Sequence, residues 1–270
     1  MAARRDLRLY AHRGASAERP ENTLEAFARA LEIGVDAIES DVHMTRDGRL
    51  VLSHDPDGAR MCGVHREIRR SGIEEVRSWD AGWGFVAPDG SRPFAGRGLR
   101  VPTLEEVLLE LPGVRLNLDI KQPDPPIVEP LVALLRRHRA EERVTLASFQ
   151  MWPLLRARWL GYRGETAMPR AEILTMLYAP IRLFRALPLR GSAAQLPLEA
   201  GILRLDTPDT VARCRRLDLR LDYWTVNDPD TARRLLDLGA DGIMTDDPAA
   251  IAPVFRERRA AGVSEPAGPR

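Results

Sequence analysis

The stretch "LLDLGADGIMTD", residues 235–246, holds the alternation from which the fold is read. Its first part continues a helical segment that begins at Pro229. Gly239 stops that helix, and "DGIMT" (241–245) follows as a short strand. The same unit recurs along the chain. Strand candidates are 7–12, 35–42, 114–120, 144–149, 173–177, 201–205, 221–226 and 241–245. Helical segments lie between most of them, among them 209–217 and two opened by the capping-box patterns Asn22-x-x-Glu25 and Thr103-x-x-Glu106. Eight strands in regular alternation with helices predict an α/β protein, a parallel (β/α)8 TIM barrel. A chain of 270 residues suits one such barrel, which runs to about 250 residues, so residues 1–270 read as a single domain.

One strand breaks the alternation. "RLVLSHD" (49–55) follows the second strand after only "MTRDG", and Asp47-Gly48 is a hairpin-turn pair. A two-residue turn there pairs positions whose numbers sum to about 95, which sets His54 opposite Asp41. Residues 55 to 100 are rich in Gly, Arg and Trp with weak periodicity, and read as a small insertion over one end of the barrel. The tail from about 258 to 270 reads as disordered.

Composition removes several classes. Net charge is +1, so no nucleic-acid partner is expected. Cys62 and Cys214 fit neither a disulfide framework nor a zinc site. "MAARRDLRLY" lacks the apolar core of a secretory signal, and no run is long enough for a transmembrane span. A cytoplasmic location is expected.

The chemistry gathers at strand ends. Side chains alternate faces along a strand, so Glu39 and Asp41 share one face, and so do Asn117, Asp119 and Lys121. Barrel enzymes place their chemistry at this C-terminal end. Three unpaired carboxylates there would be costly; either mouth arginines pair with them or a cation does, and an all-oxygen set favours Mg²⁺ or Ca²⁺ over zinc. His12 ends the first strand and His54 the hairpin strand, two imidazoles suited to acid–base exchange. Neighbouring carboxylates favour their protonated form, which suits a general acid. Arg13 and Lys121 supply positive charge for an anion. His43, in phase with Asp41, reads with His65 and His138 as structural, with lining the site as its alternative.

These residues carry a resemblance. "AHRGASAERPENTLEAFARALEIGVDAIESDVHMTRDGRLVLSHD" resembles the opening of the glycerophosphodiester phosphodiesterase family, with its HRG, PENT, E-x-D, T-x-D-G and HD motifs. "LNLDIK", "ASF", "WTVN" and "GADGIMTD" follow in the family's order, so the likeness spans roughly residues 8 to 248. It implies a (β/α)8 barrel with an insertion after the HD motif. It also implies that Glu39, Asp41 and Asp119 bind a divalent metal, that His12 and His54 are the acid–base pair, and that Arg13 and Lys121 contact phosphate. Glu21 and Asn22 would brace the loop after the first strand, and Trp224 would form an apolar wall of the pocket. Asp119 stands where the family usually has glutamate, one methylene longer.

The expected activity is metal-dependent hydrolysis of a small phosphodiester, giving glycerol 3-phosphate and an alcohol. The resemblance allows the substrate's own glycerol hydroxyl as attacker, through a cyclic phosphate. Lysophospholipid cleavage by a lysophospholipase D is the alternative, with 173–189 forming a lipid-accepting lip beside Trp83 and Phe85. A catalytically dead barrel serving as a binding module is a third reading, opposed by the retained His12, His54, Glu39, Asp41 and Lys121. Lys121 is the only lysine in a chain with 40 basic residues of the Lys and Arg types. An ammonium is compact where a guanidinium is a wide fork, so the exception suggests a shape constraint.

Overall fold

The computed structural model describes residues 6–187 and 190–263. The first five residues of the segment read for a secretory signal lie outside the described residues, as do 188–189 of the expected lip. In chain order the elements are β1 (Arg8–His12), α1 (Leu24–Ile33), β2 (Ala37–Met44), β3 (Leu50–Leu52), β4 (Asp57–Gly58), α2 (Ala59–Cys62), β5 (Val64–Glu67) and α3 (Ile73–Arg77). Then come α4 (Leu104–Glu110), β6 (Arg115–Ile120), α5 (Val128–Arg137), β7 (Val144–Ala147), α6 (Met151–Trp159), α7 (Arg170–Tyr178) and α8 (Ile181–Arg185). The chain continues through β8 (Ala193–Leu196), β9 (Glu199–Ala200), β10 (Leu203–Arg204), α9 (Pro208–Arg216), β11 (Arg220–Tyr223), α10 (Pro229–Leu238), β12 (Gly242–Thr245) and α11 (Pro248–Val263).

Seven parallel strands run in the order β7-β6-β2-β1-β12-β11-β8, with β3 antiparallel on β2. The two open edges meet through Thr166 and Ala167, which bridge in parallel to Leu146 and Ala193. This two-residue strand makes the eighth stave of the barrel. The period of two then sorts side chains. Leu9 and Ala11 face outward into cores shared with the helices, while Tyr10 faces inward beside Ala37, Met244 and Trp224. Two large cores fill the space between barrel and helices. The lower interior is polar: buried Arg220 bonds the Tyr10 hydroxyl and Asp222, and Arg8 pairs with Glu165 at 2.7 Å.

Two strands lie elsewhere than the sequence suggests. "ILTML" (173–177) is in α7, and 201–205 spans the turn and second strand of the small β9–β10 hairpin. The barrel strands in that half are Thr166–Ala167 and β8, made of small or polar residues that carry no strand signature. Short apolar runs do not distinguish strand from buried helix, and Pro169 and Pro180 bound a helix here.

The hairpin register also differs. Thr45 N–H donates to Arg49 O at 2.9 Å and Gly48 N–H to Thr45 O at 3.0 Å, enclosing a three-residue loop with Gly48 at φ +79°. The pairs are Val42↔Leu52, His43↔Val51 and Met44↔Leu50, so the residue facing Asp41 is Ser53, one short of His54. The extra loop residue, accommodated by a left-handed glycine, shifts the register by one.

Between β3 and α4 the chain forms the β4–β5 pair, α2 and α3 around a small core of Cys62, Ile68, Val76, Trp79 and Val101 that also takes in Val51. It returns to the barrel at a bridge between Thr103 and Val51. At the other end α11 continues to Val263, past the expected start of disorder; 264–270 lie outside the described residues. Thr103 makes the capping box with Glu106. On α1, however, the N-cap is Thr23, whose hydroxyl accepts from Ala26 N–H. Asn22 is turned elsewhere.

Candidate active site

Strand phase and register together build the mouth. His12 pairs with Glu39 across β1–β2, and Asp41 with Asp119 across β2–β6. Lys121 extends β6 by one bond, its N–H donating to Val42 O at 3.3 Å, and so keeps the phase of Asp119. Glu39, Asp41 and Asp119 are 5%, 1% and 8% exposed, so all three carboxylates are withdrawn from water. The Lys121 ammonium stands 2.7 Å from Asp119 Oδ2 and 3.2 Å from Asp41 Oδ1. Arg13 Nε lies 3.4 Å from Asp41 Oδ2, outside hydrogen-bonding geometry, and its Nη1 donates to Glu21 at 3.2 Å.

A sharp reversal after β1 places Arg13. Its φ is +60°, Gly14 follows at +86°, and Arg13 N–H donates to Glu39 O at 2.9 Å. A Cβ on Gly14 would meet Ala26 Cβ at 2.7 Å, so only glycine lets the loop close over α1. Asn22, at φ +56°, donates to Asp41 Oδ2 at 3.1 Å and accepts from the Ser40 hydroxyl at 2.6 Å. The brace expected of Asn22 is therefore a direct hold on a site carboxylate, which is why it is lost to the helix cap.

The histidines are each backed by an aspartate. His12 Nδ1 is 2.6 Å from Asp246 Oδ1, and its Nε2 points toward Glu39 at 3.8 Å. Asp246 is held in turn by Asn227, whose Nδ2 donates to Oδ2 at 2.9 Å. His54 Nδ1 is 2.8 Å from Asp55 Oδ1, and Arg60 from α2 joins Asp55 to Glu21. Since the ladder register does not point His54 inward, the chain's departure from β3 after Leu52 must bring it to the mouth. His43 Nε2 meets the His54 carbonyl at 3.4 Å, so His43 supports that turn rather than facing the pocket. Trp224 lies at the end of β11, edge-to-face with Phe149 at 5.8 Å, and Lys121 sits 5.5 Å over the Phe149 ring.

Burial and charge divide the carboxylates. Burial, then the charge of Asp41, pushes Glu39 up to about 8. Burial also raises Asp119. For Asp41 burial is outweighed by Lys121, Arg13 and the Asn22 bond, and it stays below the ordinary range. Burial opposes protonation of His12, but the Asp246 bond, joined by Glu39 where that is ionised, wins and raises it. Burial likewise opposes the charge of Lys121, but Asp119 and Asp41 outweigh it and raise the lysine.

Among the described residues no three His, Cys, Asp or Glu side chains already stand around a common point as metal ligands. The donor chemistry nevertheless fits a hard divalent ion. Asp119 Oδ1 is buried without a hydrogen-bond partner, and Glu39 is a carboxyl held near neutrality by its neighbours.

Asp246, Asn227, Phe149 and Asp55 carry no role in the sequence reading. The motif letters were there: Asp246 ends "GADGIMTD", Asn227 ends "WTVN" and Phe149 ends "ASF". Nothing in the sequence shows which partner each meets. The segment expected as a lip is divided, with Leu174, Tyr178 and Leu183 exposed and its other described large apolar side chains turned inward. Phe184 is fully buried, and Ile173, Met176 and Leu177 pack into the core behind β8 and β11. Trp83 sits in the segment after β3, against Gly63 and under Arg92.

The sequence profile of the glycerophosphoryl diester phosphodiesterase family matches residues 12–250. The chain is 34% identical over 254 residues to a glycerophosphodiester phosphodiesterase of Caldanaerobacter subterraneus subsp. tengcongensis, covering 92% of this chain and 97% of that protein. A human lysophospholipase D is 26% identical, over 89% of this chain and 83% of that one. A crystal structure of a putative glycerophosphoryl diester phosphodiesterase from Silicibacter pomeroyi superposes with a TM-score of 0.77 at 29% identity, covering 94% and 95% of the two chains.

Proposed function

Because the chain belongs to the glycerophosphoryl diester phosphodiesterase family, we propose that its mouth hydrolyses glycerophosphodiesters to glycerol 3-phosphate and an alcohol, in the cytoplasm. The observation that carries the reading is the meeting of His12, Arg13, three carboxylates and Lys121 at one end of the barrel. Arg13 and Lys121 bind and orient the phosphoryl oxygens. His12, held protonated by Asp246, donates from Nε2 to the departing alcohol. His54, fixed through Nδ1 by Asp55, offers Nε2 to the proton of the attacking hydroxyl. That hydroxyl is the substrate's own glycerol oxygen, and water opens the resulting cyclic phosphate with the histidine roles reversed. Glu39, Asp41 and Asp119 would hold a Mg²⁺ or Ca²⁺ ion, which when bound offsets charge on the phosphoryl group. Asp119, whose Oδ1 has no hydrogen-bond partner, would offer that oxygen to the ion while Oδ2 stays with Lys121. Trp224 and Phe149 wall the apolar side of the pocket.

The test is product analysis with glycerophosphocholine, glycerophosphoethanolamine, glycerophosphoinositol and lysophosphatidylcholine, each with Mg²⁺, Ca²⁺ or chelator. Release of glycerol 3-phosphate that depends on added metal is expected. Turnover of lysophosphatidylcholine alone would favour the lysophospholipase D activity of the human relative. No hydrolysis of any diester would return the chain to a binding module.

A further inference from the structure

The helices around the barrel do not share one kind of outer face. On α10 the exposed positions are Asp230, Arg233, Arg234 and Asp237, and on α9 they include Asp209, Arg215 and Arg216. Such faces are what water demands. α6 and α7 differ, being apolar on both sides. Trp152 and Trp159, one face of α6 by their spacing, are 63% and 53% exposed and meet edge-to-face at 5.1 Å. On α7 the outward stripe at four-residue spacing is Arg170, Leu174 and Tyr178, the last two 43% and 65% exposed. On α8 it is Arg182, Leu183 and Arg185. Aromatic groups of this size are not left on a solvated helix face without a use.

The charge of the same segment is lopsided. Residues 149–190 contain seven arginines and two glutamates and no other charged residue, a net +5 in a chain of net +1. Both glutamates are taken: Glu165 pairs with Arg8 at 2.7 Å, and Glu172 is buried on Arg158. The guanidinium groups of exposed Arg163, Arg170, Arg182 and Arg185 have no carboxylate partner among the described residues. Tryptophan and tyrosine mixed with arginine is the composition of a surface that rests in the headgroup layer of a membrane. No described helix is long and apolar enough to cross one.

We propose that the outward faces of α6, α7 and α8 form a docking surface for an anionic lipid bilayer. The aromatic rings enter the interface and the arginines meet the lipid phosphates. A second copy of this chain is the poorer occupant, because a two-fold contact would set this cationic face against itself. The surface runs to the mouth. Phe149, 60% exposed, lies two residues before the start of α6 and meets Trp224 and Lys121. Docking therefore brings the mouth to the membrane edge, whichever diester is cleaved there.

The test is sedimentation of the full chain with vesicles of phosphatidylcholine alone or mixed with phosphatidylglycerol, at low and high salt. Wild type is expected to bind the mixed vesicles at low salt, with a blue shift of tryptophan emission, and to leave the neutral ones in place. Removing two surface charges with Arg170→Gln and Arg182→Gln should weaken binding by about 25-fold. Trp152→Ser with Trp159→Ser should abolish the blue shift. Neither pair should change turnover of glycerophosphocholine in solution, since Arg170 meets Phe149 only through its backbone N–H, which glutamine keeps, and among the described residues the other three carry no hydrogen bond or ring contact to the mouth. Wild type that stays in the supernatant with mixed vesicles, or binds neutral ones equally, overturns the proposal. So does a solution dimer that the arginine pair of substitutions dissociates, which would make the face a contact between copies.

Discussion

Replacing Asp246 by asparagine keeps the shape of the site and reverses a proton. Asp246 Oδ1 faces His12 Nδ1 at 2.6 Å, and Oδ2 accepts from Asn227 Nδ2 at 2.9 Å. Asn227 cannot rotate to adapt, because its Oδ1 accepts from the Thr245 hydroxyl at 3.0 Å and from Asp246 N–H at 2.9 Å. The new amide must therefore turn its oxygen to Asn227 and its NH₂ to His12. Neutral His12 then carries its proton on Nε2, the wrong tautomer for a nitrogen that must take the proton back. A charge-assisted bond of this kind contributes about 1.5–3 kcal/mol, so kcat should fall by about 10–150-fold.

The pH profile should move with it. His12 is raised despite burial first by the Asp246 bond, with Glu39 adding to this only where it is ionised. Without the Asp246 charge, burial gains weight and the value falls. The protonated form is the acid, so activity is lost as pH rises through the folded value, and the alkaline limb of kcat/KM should shift to lower pH. Stability has a matching window. The raised His12 contributes fully below about pH 6.5 and loses this as pH rises through its folded value. The depressed Asp246 contributes above about pH 4 and loses this as pH falls through its own folded value. Wild type should exceed the variant most between those limits. A pH–rate profile and thermal melts decide the matter: an unmoved limb with kcat within about twofold of wild type would refute the assignment of Asp246.

Chelator should abolish activity and Mg²⁺ or Ca²⁺ restore it, and Asp41→Asn should lose that rescue while keeping its circular dichroism; full turnover in metal-free enzyme would remove the carboxylate assignment. Glu39, pushed up to about 8, carries a proton at neutral pH without metal, so ion binding should release it; calorimetry in buffers of different ionisation enthalpy should show this, and an identical heat in all of them counts against it. Phe184→Ala should cost about 3–5 kcal/mol of stability from a fully buried site and slow all substrates alike; selective loss of lysolipid turnover would revive the lip. Lys121→Arg should lower kcat by about 10–10³-fold through misplacement of the phosphate, and wild-type kcat would show that only charge matters there.

The parts of the fold legible in the sequence were those where a side chain faces a core. β1, β2, β6, β11 and β12 alternate or run apolar, and each lies within a few residues of its expected place. Thr166–Ala167 and β8 were not legible, because small and polar residues serve a barrel interior filled by Gln195, Asn117 and Thr145. At the site, residue types and phase sufficed for His12, Glu39, Asp41, Asp119 and Lys121, since one strand's alternation fixes which side each takes. His54 is legible from its motif, while a two-residue turn sets its register one residue away from the observed one. Asp246 reaches His12 across 234 positions of chain, and no local pattern encodes that contact.

The charge count of the mouth accounts for its third carboxylate. Asp41 and Asp119 are matched by Lys121 and Arg13, and His12 by Asp246. That set is neutral, and a site for a phosphate monoanion would require no more acid than this. Glu39 is surplus, and the protein accommodates it by keeping it protonated. If a divalent ion and a diester enter together, they bring +2 and −1 in the ordinary charge states of such groups. Ionised Glu39 supplies the remaining −1. The inner set, with Glu21, Asp55 and Arg60 bonded to one another outside it, is then neutral both empty and loaded. The compact ammonium fits this exchange. It can give up one aspartate oxygen while keeping the other, whereas a guanidinium forked across Asp41 and Asp119 would have to release both at once.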